Sequence, residues 1–111
     1  MVEKEIESKL QEFQILQQQL VFFATQKQQL QLQLTELEHA KTELEATKAP
    51  VYALVGELLV QKNPEELKKE LLEKKEDIEL RMQMIEKQES KTKEKVKELQ
   101  KELSEKLKEK F

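Results

Sequence analysis

Acidic side chains are abundant in this sequence, but their surroundings do not favour catalysis. The 111 residues include 23 Asp and Glu, one histidine (His39) and no cysteine. Acid–base catalysis by a carboxyl group needs a pocket or a charged neighbour that raises its pKa, and nothing in the sequence indicates such a pocket. There is also no Ser-His-Asp set and no glycine-rich phosphate loop. We therefore predict a protein that is not an enzyme, without catalytic residues, metal site or cofactor, in which His39 is a solvated surface residue.

The charge balance also excludes several kinds of partner. Twenty basic residues against 23 acidic ones give a net charge of -3, which leaves no basic stripe for nucleic acid. No apolar run approaches the roughly 18 residues that span a bilayer, and the mixed charges leave no wide apolar face for a membrane surface. The first residues show no apolar signal core, and the absence of cysteine suits a reducing compartment. We expect a cytoplasmic protein that binds neither nucleic acid nor membrane.

We predict two long helices, over about residues 2–48 and 64–110, which position the candidate residues discussed below. In both, apolar residues recur at alternating spacings of four and three, the heptad pattern of a coiled coil. We call these positions the seam. Lys27 and Lys41 break its apolar pattern in the first helix, and it is weaker around Glu89 and Thr92 in the second. The step from Phe13 to Leu16 is three after three, a local slip of the repeat. In the first helix the seam is Ile6, Leu10, Phe13, Leu16, Leu20, Phe23, Lys27, Leu30, Leu34, Leu37, Lys41 and Leu44. In the second it is Leu67, Leu71, Lys74, Ile78, Met82, Ile85, Glu89, Thr92, Val96, Leu99, Leu103 and Leu107.

The surface of the second helix is rich in opposite charges. Pairs such as Glu89 with Lys93 and Glu102 with Lys106 lie four residues apart in the favourable order. We interpret this charged stretch as a solvated helical face.

The segment between Pro50 and Pro64 interrupts the helical pattern. It holds the only glycine and the only tyrosine of the chain. Beta-branched and aromatic residues around a glycine, bounded by proline, predict two short strands joined by a tight turn. We therefore predict a β-hairpin over about residues 50–62, followed by a second helix that Asn63 caps.

Two helices of nearly equal length joined by a short hairpin favour an antiparallel pair, in which facing residue numbers sum to about 112. This register places Leu16 near Val96 and Phe13 near Leu99, so that apolar residues meet. We predict one domain over residues 1–111 with a mainly α fold: a long antiparallel two-helix coiled coil with a central β-hairpin.

The hairpin predicts an assembly. Both of its faces are largely apolar, and a thin coiled coil covers only part of that area. A lone two-stranded hairpin is marginal in water, and its unpaired edges invite further strands. We therefore predict an obligate oligomer in which hairpins join edge to edge into a closed β-barrel core. The predicted assembly residues are Val51, Tyr52, Leu54, Val55, Gly56, Leu58, Leu59 and Val60.

These features resemble a known family. Pro-Val-Tyr-Ala-Leu-Val-Gly-Glu-Leu-Leu-Val at residues 50–60, Leu-Gln-Gln-Gln-Leu at 16–20 and Ile-Glu-Leu-Arg at 78–81 are similar to prefoldin subunits of the beta class, subunit 6 type. The glutamine-rich, highly charged helices look archaeal-like. The single short hairpin between the helices distinguishes the chain from the alpha class, which has a longer connection with two hairpins.

The resemblance implies a molecular co-chaperone. Prefoldins are hexamers, usually of two alpha and four beta subunits around a double β-barrel, that hold unfolded proteins at coiled-coil tips and pass them to a group II chaperonin without ATP. The implied partners are alpha-class subunits, further beta copies, unfolded clients and the chaperonin. The residues implied to bind clients, called the tip residues below, are Ile6, Leu10, Phe13, Ile15, Val96, Leu99, Leu103, Leu107 and Phe111.

Other interpretations of these residues remain open. Apart from Ile15 and Phe111, the tip residues are also ordinary seam positions, and the two roles are compatible. Ile15 lies off the seam and is the better candidate for client contact. Phe22 could line the cavity of the assembly or touch a neighbouring coiled coil, and Met82 and Met84 are predicted to pack. The alternative function is a structural scaffold or spacer that binds no client.

Overall fold

A computed structural model of the chain describes residues 2–110. Helix α1 spans Val2–Ala46, strand β1 spans Val51–Val55, strand β2 spans Leu58–Lys62, and helix α2 spans Pro64–Lys110. The predicted mainly α fold, with one hairpin between two long helices, is confirmed. In the described residues, neither helix has a stretch apolar enough to cross a membrane.

Local hydrogen bonds define where the helices meet the hairpin. The first helix ends at Ala46, two residues before the limit expected from Pro50. The Thr47 hydroxyl oxygen accepts a hydrogen bond from the Ala49 amide at 3.2 Å, which turns the chain out of the helix. At the start of α2, Asn63 Oδ1 accepts the Glu65 amide at 2.9 Å. This is the N-cap interaction that the sequence predicts, with Pro64 at the first helical position.

The hairpin is antiparallel and closes through a two-residue turn. Val55 pairs with Leu58, Leu54 with Leu59, and Val51 with Lys62. Gly56 has a φ of 62°, a conformation that residues with a side chain rarely adopt. Glycine at the first turn position, with an ordinary φ at the second, is the pattern of a type II′ hairpin turn.

The chain divides into two compact units, which are described separately. The terminal unit contains the described residues through Gln28 and those from Gln83 onward. Its core is a cluster of four buried residues, Leu16, Val96, Leu99 and Leu103, against which Ile6, Phe13 and Leu20 pack. Lys9 contacts Glu102, and Glu5 contacts Lys106. Because later residues of α1 pair with earlier residues of α2, the two helices are antiparallel here, in the predicted register.

The central unit, Gln29–Met82, contains the hairpin and the adjoining parts of both helices. Its buried residues are Leu30, Leu44 and Ile78, all of them predicted seam positions. Lys75 Nζ lies 2.8 Å from Glu38 Oε1 and joins the two helices of this unit. Lys62, at the end of β2, lies 3.5 Å from Glu70 and connects the hairpin to α2.

Candidate interaction surfaces

The hairpin exposes most of its apolar side chains. Residues Tyr52, Leu54, Val55, Leu58, Leu59 and Val60 are between 40% and 73% exposed to solvent, with Leu59 the highest. Val51 and Ala53 are half-buried. The strand register places Tyr52, Leu54, Leu59 and Gln61 on one face, because alternate residues of a strand point to opposite sides. On that face Leu54, Leu59 and Gln61 are exposed, whereas Tyr52 also lines a cavity with Leu44, Leu67 and Leu71 of the helices.

The edges of the hairpin are also open. The sheet of the described residues has two strands, so each has one edge without a neighbour. Unpaired amide and carbonyl groups beside exposed leucines form a ready site for another strand. The predicted assembly residues are divided between the two faces of the hairpin, with Gly56 at its turn.

The tip residues fall into two groups in the terminal unit. Val96, Leu99 and Leu103 are buried at 7%, 4% and 8% exposure, and Ile6 and Phe13 are half-buried against them. In this conformation these five pack inside the helix pair, the role that their seam spacing predicts. They reach a partner only if the helix ends separate.

The other described tip residues face solvent. Leu10, Ile15 and Leu107 are about half exposed, at 47%, 56% and 44%. Ile15 is off the seam, which explains its exposure, whereas Leu10 and Leu107 were expected on the seam. Beside Leu10, the half-buried Lys9 reaches Glu102 across the pair. The remaining tip residue, Phe111, lies outside the described residues.

A polar layer interrupts the seam of the terminal unit. Lys27 Nζ lies 2.8 Å from Glu89 Oε1, and Lys93 Nζ lies 3.6 Å from the same oxygen. The Glu89 side chain is only 12% exposed, and Thr92, one turn further along α2, is buried. Lys27 and Glu89, each a charged residue at a seam position of its own helix, therefore form an ion pair across the helix pair.

The charges of this layer affect one another. The hydrogen bond from Lys27 holds the pKa of the Glu89 carboxyl below its usual value, against the opposing effect of burial. The same bond raises the pKa of Lys27. On the surface, the hydrogen bond to Lys106 lowers the pKa of Glu5, and that to Lys75 lowers the pKa of Glu38. Each shift reflects an ion pair between the helices.

Sequence patterns missed some exposed apolar residues on the helix surfaces. Leu32 and Leu72 are 62% and 54% exposed and were not singled out from the sequence. Val21 and Phe22, which lie off the seam beside Phe23, are 67% and 59% exposed. Met84 is 58% exposed, so its predicted packing role is wrong, whereas Met82 is half-buried. The signal was available in the spacing, because Met82 lies on the seam and Met84 does not.

The described residues contain no group of three or more His, Cys, Asp or Glu side chains arranged to hold a metal ion. His39 lies on an exposed helical surface.

Comparisons with known proteins agree with this architecture. A family model described as "Prefoldin subunit" matches residues 7–110. A solved structure, the crystal structure of the prefoldin beta subunit from Thermococcus strain KS-1, is similar with a TM-score of 0.83 and 38% sequence identity. The similarity covers 91% of this chain and 90% of that one. No curated protein matches the chain.

Proposed function

Because this chain belongs to the prefoldin subunit family and has a chaperone-type role, we propose that it is one subunit of an ATP-independent holdase. The holdase captures unfolded proteins at the coiled-coil tips and delivers them to a group II chaperonin. The observation that carries this proposal is the hairpin, whose exposed leucines and open edges require other chains to cover them.

The hairpin is the proposed assembly site. Full burial of a leucine side chain contributes about 1.5–3 kcal/mol, and Leu54, Leu58 and Leu59 are each at least 70% exposed in the single chain. Pairing of strand edges between chains would satisfy the backbone and bury these side chains together. We propose that the partners are alpha-class subunits and further copies of this chain, in a hexamer with a β-barrel core.

The tip residues are the proposed client site. Leu10, Ile15 and Leu107 offer apolar contact without any rearrangement. Helix ends open more readily than helix centres, so Val96, Leu99 and Leu103 would become available when the ends fray. Several weak tips in one assembly would bind one client with an increased effective concentration.

Other properties of the proposed function follow from the family. Prefoldins are chaperones rather than enzymes, and we propose no catalysis for this chain. A chain without cysteine suits the cytoplasm, where we place its work.

The test is suppression of client aggregation in the absence of nucleotide. The oligomer, assembled with an alpha-class partner where one is required, should keep a denatured client in solution. A variant that lacks roughly the first and last twelve residues should assemble but lose most of this activity, because the deletion removes five of the nine tip residues: Ile6, Leu10, Leu103, Leu107 and Phe111. Full activity in that truncated assembly would refute the tip assignment.

The second candidate, a scaffold or spacer, is favoured by the burial of Val96, Leu99 and Leu103. In that case the hairpin oligomerises and the helices only set a distance. A scaffold would show no client binding at any tested concentration, and serine at Leu10 and Leu107 would change nothing measurable.

A further inference from the structure

The outward surface of the first half of α1 is unusual for a chain with 39% charged residues. From Phe13 to Thr35 the one charged residue is Lys27, and its ammonium already contacts Glu89. Between residues 11 and 25, beyond the exposed Lys4 and Glu7 of the same side, the exposed residues opposite the seam are called the charge-poor face below. They are Gln11, Gln14, Ile15, Gln18, Val21, Phe22 and Thr25.

The outward surface of α2 in the same unit is different. Its exposed residues include Lys87, Lys91, Glu94, Lys95, Glu98 and Lys101. In this unit the surface of α2 is therefore solvated by charged side chains, whereas that of α1 between residues 11 and 25 is solvated mainly by glutamine amides. Solvation accounts for these glutamines but not for the apolar residues exposed among them.

Three apolar side chains project from the charge-poor face. Ile15, Val21 and Phe22 are all more than half exposed. The Phe22 ring lies 6.3 Å from that of Phe23, tilted by 53°, and Phe23 is half-buried on the seam side. Contact with this half-buried ring restricts the exposed Phe22 ring and lowers the entropy that binding would cost. The Thr25 hydroxyl donates to the Val21 carbonyl at 3.0 Å, so its proton is used within the helix.

We propose that the charge-poor face binds an extended, uncharged, apolar segment of an unfolded client. This inference rests on the proposed holdase function and extends its binding surface from the tip residues along one side of α1. It also assigns the chemistry of the segment, which the tip residues alone do not.

The absence of charge selects this occupant. A charged segment placed on this face would lose water without gaining a counter-charge, which is costly. A segment of apolar and amide side chains loses little hydration free energy when it binds there. The glutamines around Phe22 can both donate and accept hydrogen bonds, so they can pair with the free backbone of an extended chain.

The size of the patch argues against a folded partner. Three side chains exposed to this extent offer on the order of 300 Å² of apolar area. A stable contact between two folded surfaces buries about 800 Å² on each partner. A second copy of α1 would therefore be held too weakly, whereas a flexible segment needs only a weak, repeated contact.

The experiment compares two double variants in the assembled oligomer. Val21→Ser with Phe22→Ser removes apolar area from the charge-poor face. Leu80→Ser with Met84→Ser, at 56% and 58% exposure on α2, is the matched control. Fluorescence anisotropy measures the affinity for a labelled, uncharged peptide rich in Leu, Ser and Gln, while circular dichroism confirms that both variants remain helical.

We expect the Val21→Ser, Phe22→Ser variant to bind the peptide roughly tenfold more weakly, because apolar contact is lost. The control variant should bind the peptide with the same affinity as the unchanged oligomer. Salt should alter the affinity by less than about twofold, because no charges meet. If the unchanged oligomer binds the peptide and both variants bind it equally well, this inference is overturned while the holdase function stands. If the unchanged oligomer does not bind it and does not suppress aggregation, the holdase function fails with it. If the first variant instead abolishes a self-association seen by sedimentation equilibrium, the occupant is a second copy and the proposal is wrong.

Discussion

The hairpin and the terminal unit use apolar residues in opposite ways. In the hairpin, Leu54 and Leu59 pair across the strands yet are 70% and 73% exposed. In the terminal unit, Leu99 and its neighbours are almost fully buried inside a single chain. The seam residues near the helix ends are largely covered by their own chain, whereas the apolar side chains of the hairpin are exposed in the single chain and would be covered in the proposed assembly. A permanent contact is thus expected at the hairpin, and a reversible one at the chain ends.

The largest effect is expected from charges on the open face of the hairpin. Leu54→Lys with Leu59→Lys would place two ammonium groups where hairpins are proposed to meet, and a buried unpaired charge is strongly unfavourable. We expect complete loss of the oligomer in sedimentation velocity, with helix content unchanged. Glu57→Lys, in the turn, is the control that should still assemble. An intact oligomer in the double variant would show that this face is not the interface.

Shortening a buried side chain in the core of the terminal unit should instead reduce the stability of the helix pair. Leu99→Ala removes a side chain that is 4% exposed, and such substitutions cost about 2–5 kcal/mol. Leu107→Ala, at a position that is 44% exposed, should cost far less. Chemical denaturation of the two variants measures both. Equal losses would mean that the cluster around Leu99 does not hold the chain ends together.

The turn offers a smaller and purely conformational test. A Cβ added at Gly56 would meet no atom within 4 Å, so substitution acts only through the positive φ. We expect Gly56→Ala to destabilise the folded chain by about 1–2 kcal/mol and Gly56→Asn by less, because asparagine tolerates this region better. Thermal unfolding measures both variants. A stability of Gly56→Ala equal to that of the unchanged chain would contradict the turn geometry.

The polar layer should produce the smallest effect, visible only as a pH dependence. Because the folded pKa of Glu89 is depressed, its pairing with Lys27 stabilises the chain above the usual carboxyl pKa of 4.5. That contribution is lost as the pH falls below 4.5 and through the lower folded pKa. At the basic end, the contribution of Lys27 is lost only as the pH rises above 10.5.

Glu89→Gln isolates this effect, since Glu5 and Glu38 titrate in both proteins. The difference in unfolding free energy between Glu89→Gln and the unchanged chain should shrink as the pH falls below 4.5. A difference that stays constant through this range would show that the pair does not contribute.

Much of the fold could be predicted from sequence because local chemistry decides it. The alternating apolar spacing predicted that Leu16 and Val96 meet, and both lie in the same buried cluster. Asn63 was predicted to cap the second helix, and it does so through its side-chain oxygen. The slip of the repeat before Leu16 was harder to interpret. An α-helix of 3.6 residues per turn cannot direct every residue of a three-and-three spacing inward, and Leu10 is the residue that faces outward.

The ion pairs were less predictable because a long charged side chain can reach several oppositely charged residues, both on its own helix and on the other. Spacing along α2 favoured Glu102 with Lys106, yet Glu102 contacts Lys9 and Lys106 contacts Glu5 across the pair. Lys27 and Glu89 were each recognised as breaks in their own seam. The predicted register opposed Lys27 to Ile85, one turn away from Glu89, and the flexible lysine stem bridges that distance.

The most direct test of client capture at the chain ends measures assembly and client binding in one experiment. Leu10→Ser, Ile15→Ser and Leu107→Ser together remove the exposed tip residues without touching the hairpin. In sedimentation velocity with a fluorescent unfolded client, we expect an oligomer of unchanged mass that carries much less client than the unchanged oligomer does. An unchanged oligomer that still carries the full amount of client would contradict the assignment of capture to the chain ends.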